Sequence, residues 1–244
     1  MSDTIEGRNP VIEAIKAGRN IDKIYVKKGD ATLCRIVAMA KDKKIPISVV
    51  LPDKLNELSE GGNHQGIIAR AAAKEYSTVE DILEFAKSKG EEPFIIICDR
   101  ITDPHNLGAI IRSANVSGAH GVIISKHESC GLSSVVEKAS AGALEHTKVA
   151  KVTNITKTIE LLKNSGVWVA GAAGAGENMY KCNLSGAIAL VIGNEGEGIA
   201  RLILDSCDMI VSIPMFGQIE SLNASCAASV LMYEIIRQRG AGKN

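Results

Sequence analysis

The stretch Asp208-Met209-Ile210-Val211-Ser212-Ile213-Pro214-Met215-Phe216-Gly217-Gln218-Ile219-Glu220-Ser221-Leu222-Asn223 begins as a buried strand and ends at the mouth of a helix. Its apolar run, Asp208 to Ile213, breaks at Pro214 and turns at Gly217. Ser221 and Asn223 then open a small-residue helix running to about Arg239. A strand end, a polar loop and a helix N-terminus aimed at that loop together make a ligand site in an α/β protein. Two earlier joints are built alike. After Cys98 come Asp99-Arg100-Ile101-Thr102-Asp103-Pro104-His105-Asn106-Leu107-Gly108, then a helix carrying Arg112. After Ile192 come Gly193-Asn194-Glu195-Gly196-Glu197-Gly198. Three polar, glycine-rich strand ends on one sheet edge favour a site over three unrelated turns. Singly, each residue has a plainer explanation. Asn106 and Ser221 could cap helices, Arg112 could sit in a structural ion pair, and Glu195 could cap its own loop.

Around these joints the chain alternates strand and helix. From Phe94 onward the spacing predicts strands at Phe94–Cys98, Gly121–Ser125, Thr147–Val152, Val167–Ala172, Ala187–Ile192 and Asp208–Ile213. The helices between them begin near His105, Ser133, Asn154 and Gly198, and the last near Ser221. Continuous apolar strands between helices predict a mostly parallel sheet covered on both faces. Residues 1–75 read as a separate small α/β unit. In it Asn9-Pro10 opens a helix closed by Gly18, Ile21–Lys27 is a strand, and Ala31–Lys44 is a helix with Leu33, Ile36, Val37 and Ala40 on one face. Ile47–Leu51 is a strand, Pro52–Leu58 a short helix, and Ile67–Ala73 a strand after the loop Gly61-Gly62-Asn63-His64-Gln65-Gly66. Residues 76–92 are a connector and a helix capped by Ser77. Residues 93–244 form the second domain.

The 244 residues and 45% hydrophobic content allow a sizeable core. No apolar run is long enough to span a bilayer, and the start lacks a basic-then-apolar signal pattern, so the expected location is the cytoplasm. Six scattered cysteines without a C-x-x-C pair predict reduced thiols, with Cys98, Cys207 and Cys226 in apolar or small-residue surroundings. His120, His127 and Cys130 fit no metal-ligand spacing and read as a surface group, so no metal is expected. The net charge is zero, but residues 1–75 carry 13 basic and 10 acidic residues, which makes this unit the better electrostatic candidate for RNA. Aromatics are only 3% of the chain, which argues against a sheet of base-stacking rings. There is no P-loop, no G-x-S-x-G elbow, and Gly171-Ala172-Ala173-Gly174-Ala175-Gly176 lacks the dinucleotide-binding order.

The segments Asp99–Gly118, Ile188–Leu202 and Val211–Gln238 resemble the three motifs of the SpoU family of RNA ribose 2′-O-methyltransferases, a branch of the SPOUT class. Gly7-Arg8-Asn9-Pro10-Val11-Ile12-Glu13-Ala14-Ile15 is similar to the substrate-binding domain of the RlmB type, whose members methylate a guanosine ribose in large-subunit (23S) ribosomal RNA. The resemblance implies a C-terminal trefoil knot, which periodicity could not show. It also implies S-adenosylmethionine as cofactor, a homodimer, and ribosomal RNA as partner. It assigns catalytic or positioning roles to Asn106, Arg112, Glu195, Ser221 and Asn223. Cofactor contacts fall to groups near Gly193, Ile213 and Leu222, with Ala172 and Met215 beside them. Asn194 stands where Ser or Thr is common, and Gln218-Ile219-Glu220 is less basic than the family's loop. A transfer-RNA substrate, or a non-catalytic RNA-binding assembly factor, are the alternatives. An ordinary nucleotide-cofactor enzyme is disfavoured by the missing fingerprint.

Overall fold

A computed structural model describes residues 4–59, 61 and 63–240. It divides into two compact units, one of Met1–Glu75 with Gly131–Ser134 and one of Tyr76–Cys130 with Val135–Asn244.

The first unit is a four-stranded sheet in the order β1-β4-β2-β3, with β1 Thr4–Glu6, β2 Ile21–Lys27, β3 Ile47–Val50 and β4 Ile67–Ala71. Helices α1 Arg8–Lys16, α2 Cys34–Asp42 and α3 Pro52–Leu58 accompany it. Its core gathers Val11, Ile15, Ile24, Leu33, Ile36, Ala40 and Ile67. Three expectations are corrected here. Strand β1, three residues long, is too short to show an alternation, yet pairs antiparallel with β4. Helix α1 starts two residues earlier than a cap at Asn9 implies, because Gly7, at φ 93°, takes the cap position. The expected helix over Ala31–Lys44 is a 3-10 turn, Ala31–Leu33, followed by α2; the Asp30 carboxylate holds its start by accepting from Thr32 N–H.

The second unit is a six-stranded sheet in the order β10-β8-β9-β5-β6-β7. Its strands are β5 Phe94–Cys98, β6 Gly121–Ser125, β7 Lys148–Val152, β8 Trp168–Asn178, β9 Ile188–Ile192 and β10 Met209–Ser212. Every pairing is parallel, so all six carboxyl ends lie along one edge. Its helices are α4 Val79–Ser88, α5 Pro104–Val116, α6 Ser134–Ala139, α7 Ala143–His146, α8 Ile155–Asn164, α9 Arg201–Ser206 and α10 Ala224–Gly240. Ile95, Ile97, Ile123, Val169 and Val191 pack with residues of α4, α8 and α9 on one face of the sheet. Ile96, Val122, Ile124 and Leu190 alternate to the other face and are as deeply buried. This double burial explains the uninterrupted apolar runs of the central strands. Helix α10 lies against α5, where Ser113 and Ser229 hydroxyls meet at 2.8 Å and Ser117 Oγ approaches Met232 Sδ at 3.6 Å. No helix among the described residues is long and apolar enough to cross a membrane.

The corrections in this unit have physical reasons. Helix α4 is capped by Thr78, not Ser77, in a reciprocal box with Asp81. Helix α9 starts at Arg201 rather than near Gly198, because residues 194–198 close a turn of their own, with Gly198 N–H donating to Asn194 O at 3.1 Å. Helix α10 starts at Ala224 rather than Ser221, since the Asn223 Oδ1 accepts from Ser225 N–H and Cys226 N–H. Strand β8 runs to Asn178 instead of ending at Ala172. Its register against β10 jumps from Gly171↔Ile210 to Glu177↔Val211, so residues 172–176 swell out of the pairing. Gly176 returns the strand to β10, where a Cβ would lie 2.7 Å from the Ile210 carbonyl carbon. His120 is buried, not a surface histidine: its Nδ1 accepts from Phe94 N–H at 3.0 Å and its Nε2 meets Glu91 at 3.1 Å. Of the three cysteines placed in apolar surroundings, Cys98 is buried and Cys207 half-buried. Cys226 is exposed on α10.

Candidate active site

The carboxyl ends of β5, β9 and β10 carry the three polar loops of the second unit. Asn106 stands in the first turn of α5, whose cap is Asp103, accepting from His105 N–H at 3.0 Å. Asn106 is therefore not the cap, and its side chain is used elsewhere. Its Nδ2 donates to Glu195 Oε1 at 3.0 Å, and its Oδ1 accepts from Asn223 Nδ2 at 2.9 Å. Asn223 Nδ2 also donates to Glu195 Oε1. Three residues separated by up to 117 positions thus close a ring of hydrogen bonds. Both amides converge on one carboxylate oxygen, while Glu195 Oε2 has no partner among the described residues.

The loop that presents Glu195 is tightly wound. Asn194 Oδ1 accepts from Gly196 N–H at 3.0 Å and Glu197 N–H at 2.7 Å, so the asparagine in place of Ser or Thr builds the turn. Gly193 is required there: a Cβ would fall 2.1 Å from the Gly198 carbonyl carbon. Two residues that sequence reasoning left unassigned hold this loop from below. The buried Asp99 carboxylate accepts from Ala200 N–H at 2.7 Å. Arg100, at φ 55°, pairs with Glu197 and donates to Gly198 O at 3.2 Å. The charged pair just after strand β5 was a visible signal, but its partners lie about a hundred positions away.

Two cavities meet at the ring. The larger, of about 930 Å³, contains all five expected cofactor positions: Ala172, Gly193, Ile213, Met215 and Leu222 line it, as does Ser221. Its floor includes the swollen Ala172–Ala175 of β8, and its walls include Ile199, Val211 and Leu231. The smaller, of about 510 Å³, is lined by Arg100, Thr102, Asp103, Asn106 and Glu128. Asn194, Glu195, Gly196, Glu197 and Ala224 border both. The first offers apolar walls with backbone peptide groups of three loops, a donor set suited to a nucleoside-bearing cofactor. The second is polar and open.

Arg112 is not in the ring. It lies six positions beyond Asn106, about 240° around the helix, is exposed, and lines neither cavity. It has no ion pair or hydrogen bond among the described residues, so the structural-pair explanation fails. It shares an exposed face of α5 with His105 and Val116, and α10, which packs on α5, exposes Cys226, Val230 and Tyr233.

The chain is similar to known proteins in both units. Residues 93–233 match the SpoU rRNA Methylase family, and residues 4–77 match the module described as RNA 2′-O ribose methyltransferase substrate binding. A Bacillus subtilis protein named for the TrmH family of tRNA/rRNA methyltransferases, YacO, is 43% identical over 97% of this chain and 96% of its own. Among solved structures, the SpoU methyltransferase AviRb from Streptomyces viridochromogenes, in complex with the cofactor AdoMet, aligns with a TM-score of 0.62 at 25% identity, covering 98% of this chain and 91% of that one. A TrmH/SpoU tRNA modifying enzyme of A. aeolicus aligns with a TM-score of 0.57 at 25% identity over 63% of this chain and 78% of its own. An all-parallel sheet with a polar ring at its carboxyl edge has the arrangement of an α/β ligand-binding site. The chain belongs to the SpoU rRNA methylase family and carries that family's RNA substrate-binding module.

Proposed function

We propose that this protein methylates the ribose 2′-hydroxyl of a guanosine in large-subunit ribosomal RNA, using S-adenosylmethionine, in the manner of the RlmB type. The observation that carries the reading is the ring of Asn106, Glu195 and Asn223 at the junction of two cavities. The larger cavity suits the cofactor, through peptide groups near Gly193, Ile213 and Leu222 with Ala172 and Met215 beside them. The smaller suits the acceptor nucleoside. When bound, S-adenosylmethionine supplies an electrophilic methyl group on a sulfonium that departs as a neutral thioether, so no metal is required.

The chain's own task is to make a ribose hydroxyl nucleophilic. Asn106 and Asn223 hold Glu195 by one oxygen. The free Oε2 then accepts the hydrogen bond of the hydroxyl and takes up its proton. Ser221, exposed in the wall of the larger cavity, orders the loop around both ligands. The Arg112 guanidinium stabilises the negative charge developing on the 2′-oxygen and holds a neighbouring phosphate.

Because Arg112 faces away from its own ring, we infer that it serves the site of a second copy. The α5–α10 face carrying Val116, Val230 and Tyr233 is the surface through which two copies pair. We also infer the trefoil knot. Strand β10 lies at the sheet edge beside β8, yet α10 returns to pack on β9 and α5, past the loop at residues 193–198. The reaction belongs in the cytoplasm, with ribosomal RNA.

A transfer-RNA substrate is favoured by one observation, the likeness to a tRNA modifying enzyme; that likeness covers 63% of the chain. Mapping ribose methylations in RNA from cells with and without the protein separates the two. Loss of one methyl in large-subunit RNA is expected, loss in transfer RNA selects the alternative, and no loss in either overturns the reading.

A further inference from the structure

The first unit has a cavity of its own, of about 700 Å³, lined by Arg8, Lys27, Asp30, Asn56, His64 and Gln65 among others. It shares no residue with the two cavities of the catalytic unit.

Its lining is cross-braced. Arg8 Nε donates to Gln65 O at 3.2 Å and Arg8 Nη2 to Asp30 Oδ2 at 3.2 Å, while Gln65 Oε1 accepts from Arg8 N–H at 3.3 Å. His64 Nδ1 accepts from Gly66 N–H at 3.1 Å, which leaves its Nε2–H to donate to Asn56 Oδ1 at 3.0 Å. Each of these side-chain acceptors already holds a donor. The Asp30 carboxyl is held below its usual range, first by the Thr32 hydroxyl and also by the cations Arg8 and Lys27, so it stays ionised and engaged. What remains without a hydrogen bond among the described residues is the Lys27 ammonium, Arg8 Nη1, Asn56 Nδ2 and Gln65 Nε2, with Lys27 acting on Asp30 by charge alone. Every one of these groups is a donor, and two are cationic.

A concave cavity whose free groups are donors, two of them cationic against one carboxylate, suits an anion rich in acceptors. A phosphodiester with its attached nucleotide meets that description in charge, and the volume lies in the range of nucleotide-sized sites. A duplex keeps its bases paired and stacked, whereas an unpaired nucleotide can turn its base into the cavity beside its phosphate. Gln65 holds φ 48°, a conformation easier for glycine, and its side chain supplies both a brace and a free donor.

We propose that this cavity binds a backbone phosphate and its unpaired nucleotide in the substrate RNA, at a point separate from the ribose that is methylated. The inference rests on the reading of the chain as an RNA-modifying enzyme.

The test uses the full-length protein without cofactor, so that methyl transfer plays no part. Binding of a fluorescein-labelled, unpaired RNA oligonucleotide of mixed sequence is measured across a salt series, beside the same strand annealed to its complement. Lys27→Gln alters an exposed side chain that makes no hydrogen bond among the described residues, and Gln65→Gly places glycine at a left-handed position. Both variants should weaken single-strand binding several-fold. Lys27→Gln should also lower the slope of log K against log salt by about 0.7, with the duplex little changed. Single-strand binding unchanged in both variants, or absent in the wild type, overturns the inference. If both variants bind poorly but the wild type transfers no methyl to RNA, the cavity stands and the proposed reaction falls. If the wild type methylates RNA while the variants bind normally, only the cavity falls.

Discussion

Glu195 gives one carboxylate oxygen to two amides and keeps the other. Glu195→Gln should therefore lower kcat about 10²-fold while leaving calorimetric binding of S-adenosylmethionine close to wild type. Arg112 has no partner within its own chain among the described residues, so Arg112→Ala should unfold within about 0.5 kcal/mol of wild type. Its methyl-transfer rate should still fall about 10²- to 10³-fold. Near-normal turnover in that variant contradicts the assigned role. His120 makes a separate prediction about stability. Burial lowers its pKa from the ordinary 6.5, and the backbone N–H of Phe94 donates to its neutral Nδ1. Protons then bind the unfolded chain more readily than the folded one. Stability from this group is complete above about pH 6.5 and is lost as pH falls from there toward the depressed folded value, at no more than about 1.4 kcal/mol per pH unit. Urea midpoints between pH 7.5 and 5.5 should decline in the wild type, with that share of the decline missing in His120→Asn.

Gly193 shows how an element's shape can hang on one missing side chain. Gly193→Ala would press a methyl against the Gly198 backbone at 2.1 Å. A cost of about 1–3 kcal/mol is expected, with cofactor binding weakened more than tenfold by calorimetry. At this scale the sequence was legible where one segment carries its own signal. Phe94–Cys98 and Pro52–Leu58 are found as read, because burial on both faces and a proline at the first helical turn are local marks. Asn106, Glu195 and Asn223 stood out as amides and an acid beside glycines at strand ends. What stayed hidden depends on partners distant in the chain. Nothing near Asp99 announces that it will hold the amide of Ala200. Nor does Gly171–Gly176 disclose a swelling of β8, since that follows from its register against β10. The role given to Arg112 rests on resemblance; its placement outside the ring is beyond the reach of spacing measured from a motif.

The whole molecule, on this account, works as a pair. Tyr233→Asp on the exposed α10 face should give a monomer by sedimentation and abolish methyl transfer. If Arg112 acts across the pair, Arg112→Ala and Asn106→Ala, each inactive alone, should complement when unfolded and refolded together. Random pairing then makes about half the dimers mixed, each with one intact site, giving about a quarter of wild-type activity. An inactive mixture would show that Arg112 serves its own subunit. If the backbone is knotted, stretching a single molecule from its two ends should stop short of the contour expected for 244 residues. The central claim is the reaction itself. Large-subunit RNA from cells lacking the protein is incubated with the purified protein and S-adenosylmethionine, and its 2′-O-methyl groups are mapped at nucleotide resolution. One new methyl on a guanosine ribose is expected with the wild type, appearing about 10²-fold more slowly with Glu195→Gln. No new methyl, or a methyl placed on a base, would contradict it.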